Sequence, residues 1–310
     1  MADPNPHIIP YGDAAIATAA AAIGRGELVA IPTETVYGLA ADARNDAAVA
    51  RIYAAKGRPG FNPLIVHVAD LAAAQTLAAF DDDALALAAA FWPGPLTLVL
   101  PSRAGNGIAA AVTAGLPSIA LRVPAHRAMQ ALIAATRAPL AAPSANASGG
   151  ISPTTAAHVA AGLGAAVPII VDDGATERGL ESTIVAAGRI LRPGPVTEDM
   201  IAKVLHVAAT PMTGGPIIAP GQLASHYAPT KPVRLDASSA APDEWLIGFG
   251  AISGDETLSS AGDLDQAAAN LFAALHRADA APRSRIAIAP IPAIGIGAAI
   301  NDRLRRAAHR

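Results

Sequence analysis

The stretch Glu27-Leu-Val-Ala-Ile-Pro-Thr-Glu-Thr-Val-Tyr-Gly38 joins a short apolar run to a polar loop. The apolar run, residues 27–31, is typical of a buried strand, and residues 32–38 form a loop directly after it. Loops beyond the ends of strands are where open α/β sheets bind their ligands. The stretch therefore predicts one strand of an α/β sheet with a candidate ligand-binding loop at its end.

Outward from this strand, helical segments alternate with short apolar strands over residues 13–205. The predicted helices are 13–24, 45–55, 70–79, 82–90, 125–136, 155–161 and 197–205. The predicted strands are 27–31, 64–68, 96–100, 118–123, 139–142, 168–171 and 182–185. Such alternation favours an α/β sheet with helices packed on it.

The composition changes at residues 208–232, which are rich in Pro, Gly, Ala and Thr and show no helical periodicity. This change predicts a linker of extended backbone. After the linker come two predicted strands, 244–249 and 285–289, and two predicted helices, 263–278 and 300–308. We therefore expect a larger α/β domain in residues 1–207, the linker, and a smaller α/β domain in residues 233–310.

The chain has 310 residues, a net charge of −3 and no cysteine. The charge excludes a polybasic nucleic-acid binder whose affinity comes from neutralising many phosphates. The absence of cysteine excludes disulfides, thiolate nucleophiles and thiolate zinc sites. Residues 1–10 lack the regions of a secretory signal, and Pro93, Gly94 and Pro95 interrupt the uncharged stretch 84–102. We expect a soluble, cytoplasmic protein without a membrane-spanning segment.

Four polar loops punctuated by glycine and proline interrupt the apolar chain. They are residues 32–38, residues 56–63, residues 143–146 followed by 152–154, and residues 191–194. These loops contain cations, hydroxyl groups and an amide but no carboxylate cluster. Such a set of groups suits an anionic ligand rich in phosphate oxygens. Lys56 and Arg58 stand two residues apart, so an extended loop would direct both to one side. There, a point charge and a planar guanidinium can neutralise a polyphosphate.

Each of these residues also has a purely structural interpretation. The two cations follow a predicted helix and can complement its dipole, and Ser144 and Asn146 favour turns. His67 lies within a strand, where a histidine is more often a satisfied core residue than a ligand. Glu34 can be a surface carboxylate, and Arg192 can be solvated in its loop. The local chemistry supports a phosphate-rich ligand site and leaves these alternatives open.

Seven short motifs occur in order along the chain. They are Thr33-Glu-Thr-Val-Tyr-Gly-Leu39, Lys56-Gly-Arg-Pro59, Asn62-Pro-Leu-Ile-Val-His-Val68, Trp92-Pro-Gly-Pro-Leu-Thr97, Pro143-Ser-Ala-Asn146, Glu181-Ser-Thr-Ile184 and Leu191-Arg-Pro-Gly-Pro195. Each is weak alone, but the ordered set closely resembles the YrdC-like domain of threonylcarbamoyl-adenylate synthases. Residues 233–310, preceded by Ser225-His-Tyr-Ala-Pro229, resemble the additional domain of the long form of that family.

The resemblance implies a nucleotidyltransferase that condenses L-threonine, bicarbonate and ATP into threonylcarbamoyl-AMP and releases pyrophosphate. Its product would pass to a separate tRNA transferase complex that makes N6-threonylcarbamoyladenosine at position 37 of tRNA. The implied fold is a twisted, open, mixed α/β sheet with helices, a smaller Rossmann-like C-terminal domain, and a linker over the active site. Mg²⁺ would accompany the ATP phosphates without protein side chains as ligands, and no organic cofactor is implied. Weak or transient RNA contact is compatible with this function, and membrane contact is not expected.

The family motifs match this sequence residue by residue. Lys56 and Arg58 correspond to a Lys-x-Arg motif, which the resemblance implies is catalytic. Implied ATP contacts are Lys56, Arg58, Asn62, Thr113, Ser144, Asn146, Ser152, Arg192 and Tyr227. Implied threonine contacts are Thr35, His67, Arg122, Ser144 and Ser182. Gln222 departs from the pattern, because an apolar residue is common at its place in the linker.

Three other functions fit parts of the pattern. A non-catalytic module that binds double-stranded RNA is disfavoured by the acidic net charge and the scarce aromatic residues. A hydrogenase-maturation carbamoyltransferase contains a similar domain, but such proteins are much longer and carry cysteine-rich zinc modules. A nucleotide-sensing module without turnover would be expected to have lost some of the motif side chains. The sequence therefore favours the synthase.

Overall fold

Two β-sheets with their helices make up the structure, a computed structural model that describes residues 6–207, 210–211, 218–221 and 225–309. Part of the expected linker, including Gln222, lies outside the described residues. The larger sheet belongs to the N-terminal part of the chain and the smaller sheet to the C-terminal part. The predicted fold class, a mixed α/β sheet with a smaller α/β unit after it, is confirmed.

The large sheet is mixed and contains eleven strands of the described chain. These are β1 (His7–Pro10), β2 (Val29–Pro32), β3 (Tyr37–Asp42), β4 (Ile65–His67), β5 (Leu96–Pro101), β6 (Ser118–Arg122), β7 (Leu140–Ala141), β8 (Ile169–Asp172), β9 (Thr183–Ala186), β10 (Arg189–Arg192) and β11 (Thr210–Pro211). Their order in space is β1-β8-β2-β3-β7-β4-β6-β5-β9-β10-β11. The parallel pair β4 and β6 sets His67 opposite Arg122, which brings two predicted site residues together.

The helices of this part pack on the large sheet. They are α1 (Asp13–Gly24), α2 (Asp46–Lys56), α3 (Leu71–Leu77), α4 (Asp82–Phe91), α5 (Ala110–Thr113), α6 (Arg127–Thr136), α7 (Ala156–Leu163) and α8 (Glu198–Leu205), with a 3₁₀ turn at Gly164–Ala166. Side-chain caps explain where five of them begin. Asn45, Asp70, Asp81, Thr155 and Thr197 each accept a hydrogen bond from the backbone N–H three residues later.

The small sheet is parallel throughout. Its strands are β12 (Val233–Arg234), β13 (Glu244–Gly248), β14 (Glu256–Thr257) and β15 (Arg285–Ile288), in the order β12-β15-β13-β14. Two helices accompany it, α9 (Leu264–Ala280) and α10 (Gly297–Ala308). Leu271 and Phe272 of α9 are completely buried and share one core with Ile286 and Ile300. The parallel connection from β14 to β15 runs through α9, and α10 follows β15.

The two parts of the chain contact each other closely. Gly179 has a φ of 67°, and a Cβ atom there would come within 2.5 Å of the carbonyl oxygen of Ala269 in α9. The ring of His158 on α7 stacks on His276 of α9, with 3.9 Å between the ring centroids. Burial lowers the pKa of both rings, that of His158 to about 4. Two neutral imidazoles therefore lie face to face where the two parts meet.

The main differences from the predicted elements concern strands. Residues 32–38 were predicted to be a loop, but β3 begins at Tyr37, which pairs with Pro32 of β2, so only residues 33–36 form the turn. This prediction was wrong because β3 is built from glycine and alanine around Leu39, without the β-branched side chains that mark a strand. The predicted loop at 191–194 likewise begins inside β10. The strands β1, β3, β10, β11, β12 and β14 and the short helix α5 were not predicted.

The described helices were also compared with the requirements of a bilayer-spanning segment. None of them has both the length and the hydropathy that such a segment needs. The interrupted stretch at 84–102 divides into α4 and β5, as its central prolines predict.

Candidate active site

A cavity lies where the β2–β3 turn, β4, β6 and the β9–β10 hairpin meet Pro220, Gly221, His226 and Tyr227. Predicted site residues that line it are Thr35, Arg58, His67, Arg122, Ser144, Ser182, Arg192 and Tyr227. Its free volume is about 40 Å³, which is room for very few water molecules. Pockets that hold nucleotide-sized ligands measure several hundred Å³. The structure therefore shows the site in a closed form.

Lys56 anchors one wall of the site from the end of α2. Gly57 follows it in the left-handed conformation, with a φ of 59°, and ends the helix. The Lys56 Nζ atom donates hydrogen bonds of 2.5 Å to the carbonyl oxygens of Ser144 and Asn146. Burial and the nearby Arg58 hold the pKa of Lys56 well below its usual value. Lys56 lies in the last turn of a helix, as the helix-dipole interpretation requires. Its Nζ atom, however, forms hydrogen bonds with the 144–146 loop.

Arg58 is held by the loop that follows α2. Its Nη2 atom donates to Asn62 Oδ1 at 2.7 Å and to the Pro63 carbonyl oxygen at 2.8 Å, and its Nε atom donates to the Asn62 carbonyl oxygen at 3.1 Å. Burial lowers the pKa of Arg58 to about 10, and Arg192 contributes to this shift. The guanidinium is thus rigidly oriented, with part of its charge directed to the cavity that it lines.

Arg122 at the end of β6 is surrounded by polar groups. Its Nη2 atom forms an ion pair of 2.7 Å with Glu34, its Nη1 atom donates to Thr35 Oγ1 at 3.0 Å, and its Nε atom donates to the Gly94 carbonyl oxygen at 3.2 Å. The interpretation of Glu34 as a surface carboxylate was wrong, because its exposed fraction is only 5%. The Arg122 guanidinium still has unused N–H donors, since it carries five and these contacts use three.

His67 lies beside Arg122 in the sheet. It is buried, and neither ring nitrogen makes a hydrogen bond with any residue that the structure describes. Burial lowers its pKa to about 3, and the Arg122 charge adds to the effect. The ring is therefore neutral near pH 7 and presents one donor and one acceptor. Backbone groups of Leu140 and Ile65 act on this pKa in the opposite direction, so the interpretation of His67 as a core histidine stands beside that of a ligand contact.

Arg192 is fixed by the neighbouring strand rather than solvated in a loop, so that structural interpretation was wrong. It is 4% exposed and belongs to β10. Its Nη2 atom donates to the Ser182 carbonyl oxygen at 2.9 Å and to Ser182 Oγ at 3.1 Å. Ser182 Oγ also lies 2.7 Å from Thr97 Oγ1. Arg192 and Ser182 thus form one connected polar group on the cavity wall.

Gly221, His226 and Tyr227 close the cavity. Tyr227 is 1% exposed and adopts a φ of 62°, a strained value for a bulky residue. Gly221 has a φ of 82°, and a Cβ atom there would lie 2.7 Å from Arg192 Cδ and 2.9 Å from Tyr227 Oη. Only glycine fits this close approach. These described residues of the expected linker pack directly on the predicted ATP contacts.

Five predicted residues do not line the cavity: Lys56, Asn62, Thr113, Asn146 and Ser152. Four of them support residues around it. Asn62 accepts a hydrogen bond from Arg58, Lys56 donates to the loop that contains Asn146, and Ser152 donates to Glu181. Thr113 is the exception. It stands at the end of α5, partly exposed, and its hydroxyl donates to the Ala110 carbonyl oxygen at 3.3 Å. The structure therefore gathers the predicted site residues in one region and leaves Thr113 outside the closed cavity.

Four residues of this region were missed as site residues by the sequence analysis: Glu34, Glu181, His226 and Arg303. Glu181 accepts hydrogen bonds from Ser152 Oγ and, at 2.8 Å, from Arg303 Nε. His226 is 7% exposed, and burial lowers its pKa to about 3. The first three lie within motifs that the sequence displays, so the motifs were a usable signal. Arg303 lies in a predicted basic helix of the other domain and had no such signal.

Positive charge predominates around the cavity. The buried cations are Lys56, Arg58, Arg122, Arg192 and Arg303, and the buried carboxylates are Glu34 and Glu181. Taking charges out of water is costly unless other charges or hydrogen bonds compensate for it. An excess of buried cations at a cavity is therefore suited to a polyanionic ligand.

Comparisons with known proteins agree with this architecture. Residues 21–194 match the Sua5/YciO/YrdC family, described under telomere recombination, and residues 196–309 match the C-terminal domain of threonylcarbamoyl-AMP synthase. A threonylcarbamoyl-AMP synthase of Bacillus subtilis is 40% identical over 96% of this chain and 93% of its own length. The crystal structure of Pyrococcus abyssi Sua5 with L-threonine has 36% identity, covers 97% of both chains and gives a TM-score of 0.89. This chain therefore belongs to the Sua5/YciO/YrdC family and, within it, to the two-domain threonylcarbamoyl-AMP synthases.

Proposed function

We propose that this chain is an L-threonylcarbamoyladenylate synthase that converts L-threonine, bicarbonate and ATP into threonylcarbamoyl-AMP and pyrophosphate. The observation that carries the proposal is the convergence of Arg58, Arg122 and Arg192 with the unpaired, neutral His67 at one cavity. Three rigid guanidinium groups suit a polyphosphate and a carboxylate. A neutral imidazole suits an amino acid that offers both a donor and an acceptor.

The reaction needs two anions to be held together. The threonine amine first captures bicarbonate as a carbamate and releases water. A carbamate oxygen then bonds to the α-phosphorus of ATP, and the bond to pyrophosphate breaks. No covalent enzyme intermediate is required, so the protein contributes by positioning the reactants and offsetting their repulsion.

The residues on the nucleotide side hold the phosphates. Arg58 and Arg192 face the triphosphate with orientations fixed by their carbonyl partners. Lys56 fixes the loop that carries Ser144 and Asn146. Mg²⁺ enters as part of the MgATP substrate, where it neutralises further phosphate charge.

The residues on the threonine side form a second group. The unused N–H donors of Arg122 bind the threonine carboxylate, and Glu34 keeps the guanidinium in place. Thr35, His67 and Ser182 contact the remaining polar groups of threonine. We accordingly propose residues 1–207 as the catalytic domain, residues 208–232 as the linker over the active site and residues 233–310 as the C-terminal domain.

Substrate entry requires the closing residues to move. The cavity holds about 40 Å³ of free space, and ATP needs far more. Because Gly221 and Tyr227 pack on Arg192, their displacement opens the nucleotide side. We place the reaction in the cytoplasm and propose that its product passes to a tRNA threonylcarbamoyl transferase complex, with at most transient RNA contact.

The experiment that tests the proposal is pyrophosphate release by the purified full-length chain with MgATP and bicarbonate, with and without L-threonine. We expect release that depends on both threonine and bicarbonate, and a product with the mass of threonylcarbamoyl-AMP. Absence of threonine-dependent release from well-folded protein would contradict the function. Tight, salt-sensitive binding of double-stranded RNA by such inactive protein would favour the binding module instead.

A further inference from the structure

Arg303 is a completely buried arginine that reaches the active site from the C-terminal domain. It lies on α10, and its exposed fraction is 0%. Its Nε atom pairs with Glu181 Oε2 at 2.8 Å, and its Nη1 atom pairs with Asp302 at 2.8 Å. Its guanidinium carbon lies 5.0 Å from the centre of the Tyr227 ring. Its partners thus include two residues that line the cavity, Glu181 and Tyr227.

Glu181 connects Arg303 to two predicted ATP contacts, Ser152 and Arg192. One carboxylate oxygen accepts a hydrogen bond from the hydroxyl group of Ser152, and the other accepts a hydrogen bond from Arg303 Nε. Its chain neighbour Ser182 bonds to Arg192. Burial alone would raise the pKa of Glu181, but Arg303 and Arg192 outweigh burial and lower it. The carboxylate therefore stays ionised and accepts at both oxygens.

Tyr227 is held from the same direction. The Arg303 charge over its ring is a cation–π contact, which is stronger when both groups are removed from water. Tyr227 also stacks on Phe272 of α9, with 5.7 Å between the ring centroids. A tyrosine with a φ of 62° needs its surroundings to hold it in that conformation. Arg303 and Phe272 provide such a support.

Docking of α10 does not itself require a cation at this position. Ile300, Leu304 and Ala307 lie on the same face of the helix and are buried, and they supply apolar contact with the core. An apolar side chain of similar volume is often as stabilising as a buried ion pair. The polar contacts of Arg303 are therefore better explained by the residues that it orients.

We propose that Arg303 is a positioning residue of the active site: from the C-terminal domain it holds Glu181 and Tyr227, and through them Ser152 and Arg192, in the geometry that binds ATP. This inference rests on the proposed function. The C-terminal domain then does more than carry the linker, because it completes the support of the nucleotide side. Arg303 itself touches no reacting atom.

The test compares four variants of the full-length chain with the wild type: Arg303→Met, Arg303→Lys, the double variant Arg303→Met with Glu181→Gln, and the control Arg305→Met. Arg305 is exposed on the same helix, so its replacement removes one arginine from α10 without touching Glu181. We expect Arg303→Met to raise the KM for ATP more than the KM for threonine. The expected size is on the order of 10-fold to 100-fold, as for lost outer partners of ligand-holding residues. Arg303→Lys keeps the charge and is expected to recover part of the loss.

A pH profile separates positioning from a merely structural role. Glu181 is faced by Arg303, Arg192, Ser152, His226 and Tyr227, and Asp302 adjoins Arg303. Without Arg303, burial raises the pKa of Glu181. As the pH is lowered, the activity of Arg303→Met should therefore begin to fall at a higher pH than the activity of the wild type. The double variant Arg303→Met with Glu181→Gln should lose this added acid limb. That double variant also leaves no unpaired buried charge at position 181, so it provides a folded protein if Arg303→Met alone fails to fold.

The outcomes discriminate between the two hypotheses. If folded Arg303→Met keeps wild-type turnover, KM values and pH profile, the inference is overturned while the proposed function stands. An equal loss of activity in Arg305→Met would have the same meaning. If the wild type shows no turnover, the proposed function fails, and calorimetric binding of a non-hydrolysable ATP analogue tests the inference separately. Weaker binding in Arg303→Met than in Arg305→Met supports it. Equal binding, or no binding by the wild type, overturns it.

Discussion

At the scale of single residues, the site is defined by arginines that are removed from water. Arg58, Arg122 and Arg192 have exposed fractions of 9%, 3% and 4%, whereas arginine is almost never buried without partners. The partners of Arg58 and Arg192 are carbonyl oxygens, a hydroxyl and an amide, which orient a guanidinium without neutralising it. These two therefore retain charge that an anionic substrate can use, whereas Arg122 has Glu34 as a counter-ion.

Removing one of the two motif cations should abolish most turnover while the fold persists. We expect Lys56→Ala and Arg58→Ala each to lower kcat/KM for ATP by roughly 10²–10³, the usual cost of losing one preorganised group that stabilises developing negative charge. Pyrophosphate release measures the effect. Lys203→Ala, at an exposed lysine of α8, is the control and should retain wild-type activity. Near-normal turnover by the two site variants would remove them from the mechanism.

The buried Glu34–Arg122 pair should matter more for stability than an exposed pair of similar length. Glu34→Gln leaves the Arg122 charge buried without its counter-ion, and we expect a loss of about 2–3 kcal/mol in the free energy of unfolding. Urea denaturation measures it. Glu27→Gln is the control, because the exposed Arg25–Glu27 pair has the similar length of 2.8 Å and surface pairs contribute little. Equal effects of both changes would show that burial does not strengthen the contact.

The sequence analysis predicted many of the residues that lie around the cavity, but not what each one contacts. A motif marked Arg192 and the family resemblance implied Arg122, yet their contacts with Ser182 and Glu34 depend on how distant segments of the chain pack together, which no local pattern contains. Glu34 illustrates the limit, since a carboxylate between two threonines looks like a surface residue until its partner Arg122 on β6 is known.

At the scale of elements, helices were predictable and several strands were not. Helices such as α2 and α4 begin at acidic or amide caps and have enough residues to show their periodicity. Strands such as β12 and β14 have two residues each, too few for any alternation to appear. These strands exist because neighbouring strands pair with them, which is a property of the assembled sheet rather than of the segment.

The segment that closes the cavity should tolerate no side chain at its glycine. A Cβ atom at Gly221 would overlap Arg192 and Tyr227, so Gly221→Ala should disfavour the closed form by about 1–3 kcal/mol. Because ATP enters only when this segment is displaced, we expect the KM for ATP to fall by up to roughly tenfold as a result. Gly262→Ala is the control, because Gly262 also has a positive φ, 74°, but meets no atom within 4 Å of its Cβ position. An unchanged KM in folded Gly221→Ala would contradict the closing role of this segment.

At the scale of the whole molecule, the two α/β units share an interface that carries titratable groups. The stacked His158 and His276 rings lie between α7 and α9. The prediction of two domains followed from composition and from the break in periodicity. The contact between them could not be predicted, because nothing local links a histidine of one helix to a histidine more than one hundred residues later.

This interface should make the protein sensitive to acid. The pKa of His158 is about 4 when folded and 6.5 in its reference state. The unfolded chain therefore binds more protons between these values, and stability falls as the pH is lowered from 6.5 towards 4. His158→Asn should remove up to about one proton from this dependence, measured by urea unfolding at several pH values. His206→Asn, at an exposed histidine, should leave it unchanged, and identical slopes in both variants would contradict the prediction.

The concentration of buried cations has a consequence for how fast substrate arrives. The chain as a whole has a net charge of −3, yet five buried cations and two carboxylates surround the cavity. An opened site would have a positive electrostatic potential on a protein of negative net charge. This potential would raise the association rate of anions such as ATP. Dissolved salt screens such a field over about 10 Å at 0.1 M ionic strength. Capture of nucleotide should therefore slow as ionic strength rises, while the chemical step that follows binding should not.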